Sequence, residues 1–456
     1  MSNAVPAPAA KSGLSPLALA VGVGVLALLV RLLYIHFFST PMPFWDQWDG
    51  EGATALKPWL DGTLQWNTLL TPHNEHRILP TRLVTLASYL VTGQWNNVYE
   101  AQVSAVVYCF IPALLVWYAL RDAGTAAGRW LMVPAAVLVS VLPFARENFL
   151  VGFQSQFYFL ILSSLLAIAL VARHHQSLPA LFAAVVLSLL ASVTLASGML
   201  TAVAVGITCV LACLLLPGRR LPALVATGAL AAIALLAYCT LPVVEGHSML
   251  RAQNLGEVLL AATHTLAWPA RSNWVVVIVW LPSVVMIGRM LVRRSASRTD
   301  LLIAGLCIWS ALQGLAIAYG RGHDAMRVPA SRYTELFVPG LFGNAWFALQ
   351  LWRLVPAPSR LRTAARTGVV LFAVLFAGGL LGQVPKDFSK MRQFKADCML
   401  QQDNVVRYLR SGDPHALDVG EFELPYPDAA RLKAQLDDPV IRRILPVSID
   451  SAAGPP

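Results

Sequence analysis

Eleven apolar stretches, most of them about 20 residues long, limit what this chain can fold into. A helix of about 20 mostly apolar residues crosses a hydrocarbon core of about 30 Å. Hydrophobic residues fill 57% of 456 positions and charged residues only 13%, which excludes a soluble globular domain. The sequence therefore predicts an all-α polytopic membrane protein with about eleven transmembrane helices. The predicted spans are 14–38, 98–120, 130–145, 150–171, 178–196, 199–216, 221–242, 274–291, 301–319, 336–355 and 367–384.

The basic residues between these stretches predict an orientation, because short cytoplasmic loops are enriched in Lys and Arg. With the N-terminus inside, the cytoplasmic segments hold fourteen basic residues and only two acids, Asp122 and Asp300. The opposite segments hold nine basic and eleven acidic residues. We therefore expect a multi-pass protein of the bacterial inner membrane, with a cytoplasmic N-terminus and a periplasmic C-terminus. The net charge of +10 is then a topology signal, and no nucleic-acid partner is expected.

Composition divides the chain into three parts. Residues 1–13 are small and proline-rich, which predicts a disordered cytoplasmic N-terminus. The transmembrane domain covers 14–384 and includes a long first periplasmic loop at 39–97. Residues 385–456 turn polar and are predicted to form a small periplasmic segment. We interpret this C-terminal segment as a packing cap rather than a second active site.

The first loop contains a helical pattern of its own. Leucines recur with helical spacing at Leu79, Leu83, Leu86 and Leu90, opposite a polar side that includes Arg82. At about 15 residues, this helix would be roughly 22 Å long, which is short for a span. We expect a juxtamembrane helix that lies along the outer boundary of the membrane.

Three acids, Asp46, Asp49 and Glu51, follow the first span directly, among tryptophans. A carboxylate beside apolar surface at the bilayer edge loses hydration, which tends to raise its pKa and suits it to general-base chemistry. A solvated loop whose acids pair with Lys57 and Arg77 is an equal alternative.

Further polar groups follow on the same predicted side. His73, Glu75, His76 and Arg77 precede the juxtamembrane helix. Substrate positioning is favoured over a divalent metal site, because two histidines three residues apart lack a distant third ligand.

Later polar residues also lie at the predicted outer boundary. Arg146 and Gln154 are candidates for substrate binding or for helix-end anchoring. Arginines are disfavoured in short external loops, so the group Arg321, Arg327 and Arg332, with Tyr333, predicts binding of an anionic lipid phosphate.

Together, these features resemble the GT-C superfamily of polytopic glycosyltransferases, especially bacterial relatives of the protein O-mannosyltransferases and the lipid A aminoarabinose transferases. Asp46 with Asp49 and Glu51 looks like the acidic motif that follows the first helix in that superfamily. Residues 60–66 are similar to its following Gly-and-Trp segment, and residues 72–79 occupy the place of its His-Pro-Pro-Leu stretch.

The resemblance implies a sugar donor on a polyprenyl phosphate carrier, a membrane lipid, and an envelope acceptor that is a lipid, a glycan or a protein. The implied reaction is an inverting transfer with Asp46, or in second place Asp49, as general base. The arginines would stabilise the leaving phosphate, and Trp45 and Trp48 would stack on a sugar. No cofactor is implied, although a divalent metal stays open.

Residues 148–156 depart from the pattern of the aminoarabinose transferases. Those relatives carry an Asp in the second external loop, whereas here only Glu147 precedes a stretch without a carboxylate. No catalytic role is therefore expected for this loop. Two other classes compete with the enzyme: a transporter or flippase of a lipid-linked sugar, and a structural subunit of an envelope assembly. Uniformly apolar helix centres without a repeat rank the transporter lower.

Overall fold

The computed structural model describes residues 14–122, 126–323, 329–354 and 360–446. The predicted disordered segment 1–13 lies outside this part of the chain. Within the described ranges, the protein is 81% helical and contains no strand. The predicted all-α class is confirmed.

The α-helices are numbered here in chain order. The first half of the chain forms α1 (Pro16–Phe38), α2 (Lys57–Leu60), α3 (Trp66–Leu69), α4 (Leu79–Thr92), α5 (Asn97–Asp122), α6 (Ala126–Val141), α7 (Arg146–Leu150), α8 (Ser155–His174) and α9 (Leu178–Ser192). The second half forms α10 (Met199–Leu215), α11 (Leu221–Cys239), α12 (Leu255–Leu266), α13 (Val275–Arg293), α14 (Arg298–Arg321), α15 (Val338–Leu354), α16 (Arg360–Leu381), α17 (Val384–Ser411), α18 (Ala429–Asp437) and α19 (Pro439–Ile444).

Nine helical stretches in the described residues are long and apolar enough to cross a membrane. The chain is therefore a multi-pass membrane protein. Each of the eleven predicted spans overlaps a helix, but α9 has only 15 residues and α15 only 17. The count of eleven stays a prediction.

Helix α1 shows how local sequence sets these elements. The Ser15 side chain accepts a hydrogen bond from the backbone N–H of Ala18 at 3.1 Å, and Pro16 occupies the first helical position. A Cβ added at Gly24 would lie 3.1 Å from the Cys109 carbonyl oxygen of α5. A small residue there lets the two backbones approach closely, so α1 and α5 form a tight pair.

The first loop and the C-terminal segment share a second hydrophobic core outside the helical bundle. Trp48 and Trp95 of the loop region are fully buried beside residues of α17, α18 and α19. The main chain joins the two parts as well, because the N–H of Trp95 donates to the Ile444 carbonyl at 2.7 Å. The C-terminal segment therefore packs against the loop that carries the three acids.

The helix predicted within the first loop is present as α4, but it packs with its polar side inward. Arg82 and Thr85 are buried, whereas Leu83 and Leu90 are 44% and 62% exposed. The Arg82 guanidinium donates to the carbonyls of Gly50 at 3.0 Å and Leu69 at 2.8 Å. Of the four leucines, Leu83 and Leu90 are exposed, whereas Leu86 packs into the second hydrophobic core.

Candidate functional site

Asp46 lies on the surface of the first loop, next to the imidazole of His73. Trp45, with a φ of +50°, turns the chain at this point, and its N–H donates to the Pro425 carbonyl of the C-terminal segment at 2.6 Å. The Asp46 side chain is 50% exposed, and its Oδ1 lies 3.3 Å from His73 Nε2. The ring of His73 packs edge-on against Phe153 at 5.4 Å. Asp46 is thus both held in place and open to a ligand.

The charges around Asp46 favour its ionised form. Burial would raise the pKa of this carboxyl, but the contact with His73 and the positive charge of Arg332 outweigh burial and hold the pKa below its ordinary value. This direction is opposite to the raised pKa expected from the sequence. The reason is that the fold brings His73 and the guanidinium of Arg332 from distant segments to the acid.

Arg332 comes from a 3₁₀ turn, Ser331–Phe337, that leads into α15. Its Nη1 lies 3.0 Å from Glu147 Oε2, and its guanidinium carbon lies 5.0 Å from the centre of the Tyr333 ring. Burial would raise the pKa of the Tyr333 hydroxyl, but Arg332 and Arg321 lower it below its ordinary value. The Arg332 side chain is 40% exposed, so part of its charge faces outward.

The loop between α6 and α8 lies at the centre of this cluster, although the sequence assigned it no catalytic role. Glu147 Oε1 accepts a hydrogen bond from Ser331 at 2.6 Å. The Asn148 side chain donates to the Arg332 carbonyl at 2.9 Å and to Glu335 Oε2 at 2.8 Å. This loop therefore fixes the turn that presents Arg332.

Two other predicted residues, Arg146 and Gln154, belong to the same loop. Arg146 Nη1 pairs with Asp387 Oδ1 of α17 at 3.1 Å, which anchors the C-terminal segment to the bundle. Gln154 is half-buried at the end of the short turn Gly152–Gln154 that precedes α8. Asp387 was not singled out from the sequence.

The segment around Glu75 forms a second half of the cluster. Glu75 Oε1 lies 2.5 Å from His247 Nδ1 and 3.9 Å from Arg321 Nη2. Burial would raise the pKa of Glu75, but contact with His247 lowers it below its ordinary value. His247 was missed because its loop shows no motif.

His76 and Arg77 serve the architecture of this segment. Burial lowers the pKa of His76 to about 4, so its ring is neutral at physiological pH, and Nδ1 accepts from the Ala196 N–H at 3.1 Å. Arg77 donates to the carbonyls of Leu70 at 3.3 Å and Thr240 at 3.2 Å.

Asp49 is tied to the C-terminal segment. Its Oδ2 accepts from the Tyr426 hydroxyl at 2.7 Å, and its Oδ1 accepts from Arg431 Nη2 at 2.8 Å. Both oxygens are therefore engaged by neighbours, in contrast to the half-exposed Asp46.

Glu51 is fully buried within the π-helical turn Trp48–Leu56. Its Oε2 accepts from Gln47 Nε2 at 2.9 Å and from Trp95 Nε1 at 3.1 Å. Gln47 also reaches Glu100 Oε2 at 3.1 Å. Burial raises the pKa of Glu51 to about 7. Neither Glu100 nor Gln47 was singled out from the sequence.

The two tryptophans beside these acids also differ in burial. Trp48 is fully buried and donates from its indole to the Pro43 carbonyl at 3.0 Å, so the expectation that it stacks on a sugar is wrong. Trp45 is partly exposed and stacks on Phe422 with ring centres 6.0 Å apart.

A buried ion pair supports the cluster from inside the bundle. Arg31 Nη2 of α1 lies 2.6 Å from Glu335 Oε1, and both side chains are almost completely buried. The guanidinium also lies over the rings of Tyr108 and Phe149, at 4.2 and 4.4 Å. A charge inside a predicted span requires a partner, and Glu335 supplies it for Arg31.

The remaining predicted residue, Arg327, lies outside the described residues. Within the described part of the chain, no group of three His, Cys, Asp or Glu side chains is arranged to hold a metal ion. His73, Glu75 and His76 instead face three different partners.

Comparison with protein-family models finds no model that matches the chain, and comparison with curated proteins finds no match either. The geometry of the cluster around Asp46 therefore carries the functional argument.

Proposed function

We propose that this chain is a glycosyltransferase of the GT-C type, with eleven spans in the bacterial inner membrane and a periplasmic active site at Asp46. It transfers a sugar from a polyprenyl phosphate carrier to an envelope acceptor. The observation that carries the proposal is a half-exposed, ionised carboxylate held by His73 and facing the charge of Arg332. A proton acceptor and a cation suited to bind phosphate thus lie close enough for their charges to interact.

The reaction proposed is an inverting displacement. The acceptor oxygen or nitrogen forms a bond to the anomeric carbon while the bond from that carbon to the phosphate oxygen breaks. The polyprenyl phosphate leaves with the electron pair, and the acceptor proton passes to Asp46. A low pKa makes Asp46 a weak base, so proton transfer accompanies bond formation, when the acceptor becomes acidic.

Each neighbour has a part in this step. His73 orients Asp46, and Arg332 stabilises the negative charge on the leaving phosphate, since a preorganised cation acts most strongly where charge develops. Arg321 and Tyr333 extend the same phosphate surface. Glu147 and Asn148 hold the turn that carries Arg332.

The substitution Asp46→Asn tests the proposal in purified full-length protein. The probe is a polyprenyl phosphate carrying a radiolabelled hexose, with envelope membranes as the source of acceptor, and the readout is label that leaves the donor fraction. We expect a loss of about 10²–10⁴-fold, the usual contribution of a general base.

Asp61→Asn is the matched control, because Asp61 lies on the same loop and its carboxylate pairs with Lys57 at 2.9 Å. It should retain the activity of the unmodified protein. Undiminished transfer by Asp46→Asn would reject Asp46 as the base, and equal loss in both variants would point to damage of the loop rather than of the chemistry.

A further inference from the structure

A cleft of about 580 Å³ opens where α13 ends and α14 begins, and one wall comes from the end of α15. Helix α14 runs from this cleft to Arg321 in the polar cluster, a length of roughly 36 Å for its 24 residues. The cleft therefore lies at the opposite end of the bundle from Asp46. Its volume falls within the range of about 300–1,000 Å³ that is typical of ligand sites.

Two arginines line this cleft on one face of α13. Arg289 and Arg293 are one helical turn apart, a spacing at which like charges repel. In the part of the chain that the structure describes, neither forms an ion pair with a carboxylate. An anion between the two guanidiniums would relieve their repulsion.

Asp300 is the acid that lines the same cleft, and its oxygens are already engaged. Oδ2 accepts from the Ser297 hydroxyl at 2.7 Å, and Oδ1 accepts from Trp346 Nε1 at 3.0 Å. The two arginines against this one acid leave the lining with a net positive charge. Ser295 and Ser297 add hydroxyl groups at the rim.

The remaining lining residues are Met286, Met290, Ala296, Gln350 and Leu354, and all of these except Gln350 are apolar. Met286 and Met290 alternate with the arginines along α13, and Leu354 lines the cleft from α15 with 42% of its surface exposed. The cleft therefore offers a cationic end and an apolar wall, and the helices α13 and α14 beside it are long and apolar enough to cross the membrane. A soluble anion would use only the cationic end.

We propose that this cleft binds an anionic phospholipid of the phosphatidylglycerol kind. Its phosphate lies between Arg289 and Arg293, and one acyl chain follows Met286, Met290 and Leu354. Basic pockets between membrane helices recognise lipid headgroups in this way. The inference is independent of the sugar-transfer proposal, because it concerns the other end of the bundle.

The test is a titration of delipidated full-length protein with phosphatidylglycerol in detergent, with bound lipid counted by native mass spectrometry. The double variant Arg289→Gln with Arg293→Gln should bind the lipid at least ten-fold more weakly. The matched control is Arg219→Gln with Arg220→Gln, two exposed arginines that do not line the cleft. It should bind the lipid as the unmodified protein does.

A second variant keeps the charges and fills the apolar wall. Leu354→Trp should also weaken phosphatidylglycerol binding, and it decides the question if the double arginine variant fails to fold. Equal loss in the Arg219 and Arg220 control would overturn the proposal, since binding would then be unspecific. Equal binding of phosphatidylcholine would overturn it too, as would full competition by inorganic phosphate, which would mark a site for soluble anions.

Discussion

Asp46 and Glu51 lie five residues apart on the same loop. Even so, the pKa values of their carboxyl groups are shifted in opposite directions. Asp46 is half-exposed and faces His73 and Arg332, and its pKa is lowered. Glu51 is fully buried among Gln47, Trp95 and Glu100, and its pKa is raised to about 7. The difference teaches that the fold, rather than the residue type, separates an ionised acid at the surface from a structural acid in the core.

Glu335 sharpens this comparison, because it is as buried as Glu51 but faces a cation. Arg31→Met would leave the Glu335 carboxyl buried without its partner at 2.6 Å. We expect a loss of about 3–5 kcal/mol in the free energy of unfolding, the usual cost of breaking a buried pair. Unfolding by SDS in mixed micelles measures the change.

The double variant Arg31→Met with Glu335→Met is the control, since replacing both charges with apolar groups of similar size is often neutral. It should recover most of the lost stability. If Arg31→Met alone were as stable as the unmodified protein, burial of the Glu335 carboxyl would not depend on its pairing with Arg31.

Glu51→Gln tests the raised pKa of the buried acid. The pKa of Glu51 rises from an ordinary 4.5 to about 7 on folding, so the folded state binds the extra proton between these values. Stability contributed by this group is therefore full below pH 4.5 and declines as the pH rises to about 7. At pH 8 the variant should be more stable by up to about 3 kcal/mol, and at pH 4 the two proteins should be equal.

Unfolding at a series of pH values checks this expectation, with the exposed Glu421→Gln as control. The control should reproduce the pH dependence of the unmodified protein. A Glu51→Gln protein with that same dependence would contradict a raised pKa at Glu51.

The helical class, the multi-pass topology and the residues Asp46, His73 and Arg332 followed from the sequence, because polar groups between apolar spans are conspicuous. The pairing of Arg31 with Glu335 did not, since 304 residues separate them and no local pattern links them. The inward polar side of α4 was hidden for a related reason. Arg82 faces the protein because its guanidinium donates to loop carbonyls there, and hydropathy alone does not reveal those carbonyls.

Asp49 lies between the two acids of the comparison and gives the smallest expected effect. Asp49→Asn weakens the contacts with Tyr426 and with Arg431, whose side chain is 60% exposed. We expect the C-terminal segment to open more easily by about 1 kcal/mol, which is roughly a five-fold faster cleavage by a protease in that segment. The control is Asp437→Asn, because the Asp437 carboxylate accepts hydrogen bonds from Tyr408 and Lys433, which both belong to the C-terminal segment. It measures how much cleavage increases when contacts inside the segment, rather than contacts with the loop, are weakened.

The same Asp49→Asn protein also separates the two acids by role. If Asp49 holds the C-terminal segment and Asp46 takes the proton, transfer should stay within a few-fold of the unmodified protein while cleavage increases. Loss of transfer with unchanged cleavage would reverse the two roles. With the expected result, the three acids of the first loop differ in role because they differ in surroundings. Asp46 faces His73, Arg332 and an open surface, Asp49 is covered by the C-terminal segment, and Glu51 is enclosed in the core.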